Sequence, residues 1–66
     1  MKNTIKVERA KQNITQQELA DLVGVSRQTI NSIESGRYVP STTLSLKISD
    51  VFKTSVNEIF TLENED

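Results

Sequence analysis

Arg27, Gln28, Thr29, Asn31 and Ser32 crowd into the stretch "SRQTINSIES". Together they offer one guanidinium, two amides and two hydroxyls. These groups hold donors and acceptors in fixed geometry and match base edges in a DNA major groove. Arg pairs with guanine O6 and N7, and Gln or Asn with adenine N6 and N7. Catalysis has little to work with here. The chain has no His and no Cys, which removes most general bases, activated nucleophiles and zinc ligands. No phosphate loop and no spacing that pairs buried carboxylates is present. The expected chemistry is recognition, with no catalytic residue, no metal, no cofactor and no small-molecule ligand.

A helix must carry these residues for them to act together. Ser26 can cap it and Gly36 can stop it, so it runs to about Ser35. Advancing about 100° per residue from Ile30 puts Ile33, Ser26 and Glu34 on the inner side. Gln28, Asn31, Ser32 and Ser35 face outward, and Arg27 and Thr29 flank them. Two readings fit this pattern, a solvated helix and a base-reading helix. Solvated helices favour Glu and Lys in i,i+4 pairs, whereas this face is mostly uncharged amide and hydroxyl.

The preceding helix is spelled just as clearly. Thr15-Gln16-Gln17-Glu18 is a capping box. Leu19, Ala20, Leu22 and Val23 follow as apolar positions, and Gly24 ends the run. Before it, Ile5 to Gln12 forms a helix with Ile5, Val7 and Ala10 toward one side and Asn13 as its terminator. After "GRYVPS", a loop with Pro40 holding Val39 extended, Ser41 starts a fourth helix through about Phe52. Its apolar stripe is Leu44, Ile48, Val51 and Phe52, with Leu46 out of register. Ser55-Val56-Asn57-Glu58 is a second capping box and opens a short fifth helix with Val56, Ile59 and Phe60. "MKNTI" and "FTLEN" are candidates for short terminal strands.

Length and charge bound the rest. The chain has 66 residues and a formal net charge of −1, enough for a single domain over residues 1–66. A domain this size buries only roughly 60% of the surface its unfolded chain exposes, so a partner copy would help. Eight basic residues and five acidic ones give residues 1–53 a net +3, while residues 54–66 carry −4. A basic body with an acidic tail suits phosphate attraction, although ordinary solvated charge accounts for the same numbers. No apolar run can span a membrane and the N-terminus does not read as a signal peptide, so a cytoplasmic location is expected.

The intervals among Ala20, Gly24, Val25 and Ile30 suit a helix-turn-helix: a small residue at the crossing, a glycine in the turn, and two apolar wedges. "TQQELADLVGVSRQTINSIESGR" resembles the helix-turn-helix of the Cro and phage-repressor (XRE) family over about residues 5 to 60. It most resembles short stand-alone members of the cytolysin-operon repressor kind. The resemblance implies an all-α, five-helix, lambda-repressor-like domain with the motif at helices two and three.

It further implies roles. Arg27, Gln28, Thr29, Asn31 and Ser32 would face the major groove, with Thr29 and Ser32 open to a thymine methyl or a phosphate instead. Gln16 would clamp a phosphate through its side chain and backbone amide. Ser35, Arg37 and Tyr38 would meet the flanking backbone, although Tyr38 could equally pack on its own loop. Lys11 and Lys47 are further phosphate candidates, and Lys47 and Lys53 also read as solvated. Arg9 and Glu34 would form a structural ion pair. Ile59, Phe60 and Leu62 are either core or a homodimer interface, which the terminal strands and the tail at 61–66 would extend.

The function implied is sequence-specific binding of a double-stranded DNA operator by a homodimer, most simply as a repressor. A protein-interaction module gripping a partner through the acidic tail and those three apolar residues is the main alternative.

Overall fold

A computed structural model describes residues 1–66. Its elements run β1 (Lys2–Asn3), α1 (Ile5–Gln12), α2 (Gln16–Val23), α3 (Arg27–Glu34), α4 (Thr42–Phe52), α5 (Val56–Ile59) and β2 (Phe60–Thr61). Most boundaries have a local cause. Asn13 ends α1 in the left-handed conformation at φ 56°. Thr15 makes a complete capping box: its hydroxyl accepts from the Glu18 N–H and the Glu18 carboxylate accepts from the Thr15 N–H, both at 3.0 Å. Gly24 closes α2 at φ 77°, where a side chain would be strained. Ser26 and Ser41 cap α3 and α4 by accepting from Thr29 and Leu44 N–H, both at 3.1 Å.

One core holds these helices together. Ile5, Leu19, Ala20, Val23, Ile30, Ile33, Leu44, Ile48, Phe52, Ile59 and Phe60 are all buried in it, and every helix contributes. Burying a side chain of this size contributes about 1.5–3 kcal/mol. Ala20 is fully buried on α2, which packs against both α3 and α4. A larger residue there would force α2 away from its neighbours. Polar bonds fasten the periphery. Asn3 donates to the Ile33 carbonyl at 2.9 Å and accepts from the Ile5 N–H at 3.2 Å, tying the N-terminus to the end of α3. Gln12 donates to the Val51 carbonyl at 3.1 Å.

The terminal strands pair antiparallel within the chain, Lys2 opposite Thr61 and Asn3 opposite Phe60. The Met1 ammonium lies 3.1 Å from Glu63 and 3.2 Å from Asp66.

Four expectations are corrected. Val7 and Ala10 are exposed while Ile5 is buried, because at about 100° per residue they lie about 200° and about 140° around the helix from Ile5 and cannot share its face. Leu22 is exposed, on the side of α2 away from Leu19, Ala20 and Val23. The second capping box does not form: Ser55 makes no side-chain cap bond, and the Glu58 N–H goes to the Ser55 carbonyl instead. Finally, Ile59 and Phe60 belong to the core of their own chain, at 0% and 8% exposure. They fill space under α4 and β1, so of the three residues proposed for an interface Leu62, 76% exposed, is the one whose side chain stands mostly outside the core, while Phe60 shows only an edge at an apolar hollow.

Candidate nucleic-acid interface

α3 is anchored through Ile30 and Ile33, both buried, and this sets which side faces out. Arg27, Gln28 and Asn31 are exposed, while Thr29 and Ser32 are half-buried. Thr29 is held by its cap, with its hydroxyl 2.9 Å from the Ser26 hydroxyl. The Ser32 carbonyl is a hub at the end of the helix. It accepts from the Arg37 N–H at 3.0 Å, the Tyr38 N–H at 3.3 Å and the Ser35 hydroxyl at 3.0 Å. Those bonds fold the loop back, so that Tyr38 lines a shallow hollow with Ser26, Gln28, Thr29 and Ser32. Tyr38 is about half exposed and Arg37 is exposed. Both sit beside the outward face of α3 despite lying beyond it in sequence.

Arg27 stands at the edge of this face nearest α2. It borders a second hollow with Thr15, Gln16 and Gln17 at the start of α2. The backbone N–H groups of Gln16 and Gln17 make no bond within the chain. Free N–H groups at a helix N-terminus, with a guanidinium beside them, suit an anionic oxygen. The Gln16 side chain is committed elsewhere. Its Nε2 donates to Asn31 Oδ1 at 3.3 Å and to Glu34 Oε1 at 3.4 Å. The part of Gln16 left for a phosphate is therefore its backbone.

Behind this face Arg9 and Glu34 form a two-pronged pair. Arg9 Nε lies 2.7 Å from Glu34 Oε2 and Nη2 lies 3.1 Å from Oε1. Arg9 Nη1 also donates to the Ile14 carbonyl at 3.1 Å. The hydrogen bond to Glu34 holds the Arg9 guanidinium above its ordinary pKa against the opposing effect of burial. The pair links α1, the loop before α2 and the end of α3. It thereby fixes the tilt of the outward face.

Not every basic candidate joins the face. Lys11 is 3.1 Å from Glu8 on its own helix. Lys47 is exposed on α4 and lines neither hollow beside α3. Sequence reasoning missed the bonds from Gln16 to Asn31 and Glu34 and from Asn3 to Ile33. Each is long-range, and only the tertiary packing brings the partners together.

Comparison with known proteins places this geometry. A helix-turn-helix family model matches residues 5–59. An uncharacterised HTH-type transcriptional regulator of Methanocaldococcus jannaschii is 47% identical over 66 residues, covering 100% of both chains. One from Bacillus subtilis is 46% identical with the same coverage. The ImmF control region 10 kDa protein of Bacillus phage phi105 is 36% identical over 53 residues, 80% of this chain and 59% of its own. No helix of the chain is long and apolar enough to cross a membrane. With α2 and α3 set against each other by a left-handed Gly24 turn, and α3 anchored by two isoleucines behind a polar outward face, the chain belongs to the Cro/phage-repressor (XRE) type of helix-turn-helix transcriptional regulators.

Proposed function

We propose that this protein represses transcription by binding, as a homodimer, a near-palindromic operator in double-stranded DNA. The observation that carries the reading is the outward face of α3, where Arg27, Gln28 and Asn31 stand exposed on a helix fixed from behind. α3 enters the major groove. Arg27 and Gln28 contact base edges, with Asn31 beside them and Thr29 and Ser32 at the rim. The free N–H groups of Gln16 and Gln17 take a phosphate on one side of the groove. Arg37, Tyr38 and the Ser35 region meet the backbone on the other. Phosphate contacts set position and base contacts set sequence.

One α3 covers only a few base pairs, so two copies reach successive grooves about 34 Å apart. The surface suited to the second copy is an apolar hollow in which Val39, Leu46, Val56, Phe60 and Met1 come together. Val39 and Leu46 are each more than half exposed. No Lys, Arg, Asp or Glu side chain lines this hollow, and the Met1 ammonium at its edge is paired with Glu63 and Asp66, so little like-charge repulsion opposes two copies meeting there. A dimer seated over a promoter excludes polymerase, which is how repression follows.

Selection of binding sites from a pool of random duplex DNA tests the reading. The expected product is an inverted repeat with half-sites about one helical turn apart. Arg27→Ala and Gln28→Ala should each weaken binding to that site about tenfold to a hundredfold, by analogy with the 1–3 kcal/mol of a bidentate base contact. Their melting temperatures should stay at the wild-type value. A folded protein that enriches no sequence at low salt, yet captures a protein partner, would move the assignment to a protein-interaction module.

A further inference from the structure

We infer that the segment Glu63–Asp66 is an electrostatic brake on DNA binding, folded against the loop that would meet the phosphate backbone. This rests on the DNA-reading function proposed above and adds a device that sets how tightly the protein holds any duplex. Order, place and charge each support it. The segment is ordered by its own bonds. The Asp66 carboxylate accepts from the Glu63 N–H at 2.8 Å, and the Asp66 N–H donates to the Glu63 carbonyl at 3.0 Å. The Met1 ammonium, 3.1 Å from Glu63 and 3.2 Å from Asp66, fastens it to the body. Its place is beside the α3–α4 loop: Glu63, Glu65 and Asp66 line one hollow with Gly36. Gly36 is the chain neighbour of Arg37, and the Arg37 and Tyr38 N–H groups fold this loop onto the Ser32 carbonyl, next to the outward face of α3.

The charge does not cancel locally. Three carboxylates face one ammonium. The Glu63 N–H bond holds the Asp66 carboxyl below its ordinary pKa, so it is ionised at neutral pH. Arg37 makes no ion pair, so the carboxylates are not spent on the cation of the loop. Screened charges act over about 10 Å at 0.1 M salt, and carboxylates that share a hollow with Gly36 bear on the phosphates Arg37 and Tyr38 would meet. Phosphate contacts supply essentially all of non-specific binding and carry no sequence information. The segment therefore opposes every duplex alike and leaves the base contacts of α3 as they are. Its effect is to keep the protein from being held on DNA that lacks the operator.

The test is the affinity of the full chain for its selected operator and for a scrambled duplex, each at low and at fourfold higher salt, with folding checked by thermal melting. Glu63→Gln/Glu65→Gln/Asp66→Asn should bind both duplexes more tightly by the same factor, about threefold to tenfold at low salt. One phosphate interaction is worth about threefold over such a change in salt, so the gain should shrink by at least that much at the higher concentration. Glu65→Lys keeps the test open should the triple variant loosen the segment, because Glu65 makes no hydrogen bond or ion pair. It should show the same pattern. Glu58→Lys makes the same change of charge on α5, where Glu58 lines neither hollow beside α3 nor the one beside the tail, and should shift affinity by less than about twofold. The inference is overturned if the folded tail variants bind as wild type does or more weakly, if the tightening is confined to the operator, or if Glu58→Lys tightens binding as much as Glu65→Lys. A wild type that selects no operator and binds no duplex would overturn the function beneath as well, and is a separate result.

Discussion

α2 and α5 begin with the same motif and end up held by different forces. At Thr15 both bonds of the capping box form, and eight residues of helix follow. At Ser55 the backbone takes a similar extended turn, yet no side-chain cap bond is made and the helix stops after four residues. α5 is a joint rather than a support. Its last residue is fully buried, and the Ile59 carbonyl accepts from the Thr4 N–H at 2.9 Å. The next residue already belongs to β2. A cap contributes about 1 kcal/mol, which matters where a helix must be stiff and exposed. It matters less where one turn is clamped between a core and a strand pair.

The largest effect should therefore come from the core side of α5. Ile59→Ala leaves a cavity where exposure is now 0%, and such truncations cost about 2–5 kcal/mol. At roughly 4–8 °C per kcal/mol for a domain of this size, the melting temperature should drop by about 10 °C or more. Leu62→Ala, three residues on and 76% exposed, should leave it within a few degrees. Equal losses at the two positions would mean that the tail packs as tightly as α5, and the contrast would fail.

Next in size is Glu34→Ala. It leaves Arg9 without its two-pronged partner, and breaking a buried ion pair costs about 3–5 kcal/mol. Here Arg9 and Glu34 keep 15% and 9% of their side-chain surface, so about 2–3 kcal/mol is expected. Calorimetry should show lowered stability, separate from any loss of DNA binding. An unchanged melting temperature would show that α3 is held by Ile30 and Ile33 without the pair. The apolar hollow provides a comparison in oligomeric state: Leu46→Glu should convert the proposed dimer to a folded monomer in sedimentation, while Val7→Glu, at an exposed position of α1, should not.

These contrasts also show what was legible in the chain. Boundaries written in local chemistry were plain: Asn13, the Thr15–Glu18 box, Gly24, Ser26 and Ser41 each act within four residues of themselves. The outward face of α3 was legible because Ile30 and Ile33 fix its direction. What needed tertiary information was not. Lys53 ends α4 at φ 52° with neither Gly nor Asn to signal it. Ile59 and Phe60 look the same in sequence whether they face their own core or a partner. Nor could the direction of the Gln16 amide be seen before Glu34, eighteen residues away, was placed beside it.

The smallest effect discriminates most sharply between the two helix starts. Thr15→Ala removes the hydroxyl that accepts from Glu18 at 3.0 Å and should cost about 1 kcal/mol. Ser55→Ala removes a hydroxyl that caps nothing, and should change stability by less than about 0.5 kcal/mol, as surface substitutions do. Chemical denaturation of the two variants side by side measures the difference directly. If Ser55→Ala proved as costly as Thr15→Ala, α5 would rely on its cap as α2 does. The Glu58 N–H would then have to move from the Ser55 carbonyl to its hydroxyl for part of the time. A cost confined to Thr15 would place the stiffness conferred by capping at α2, the helix whose first N–H groups point toward the proposed phosphate.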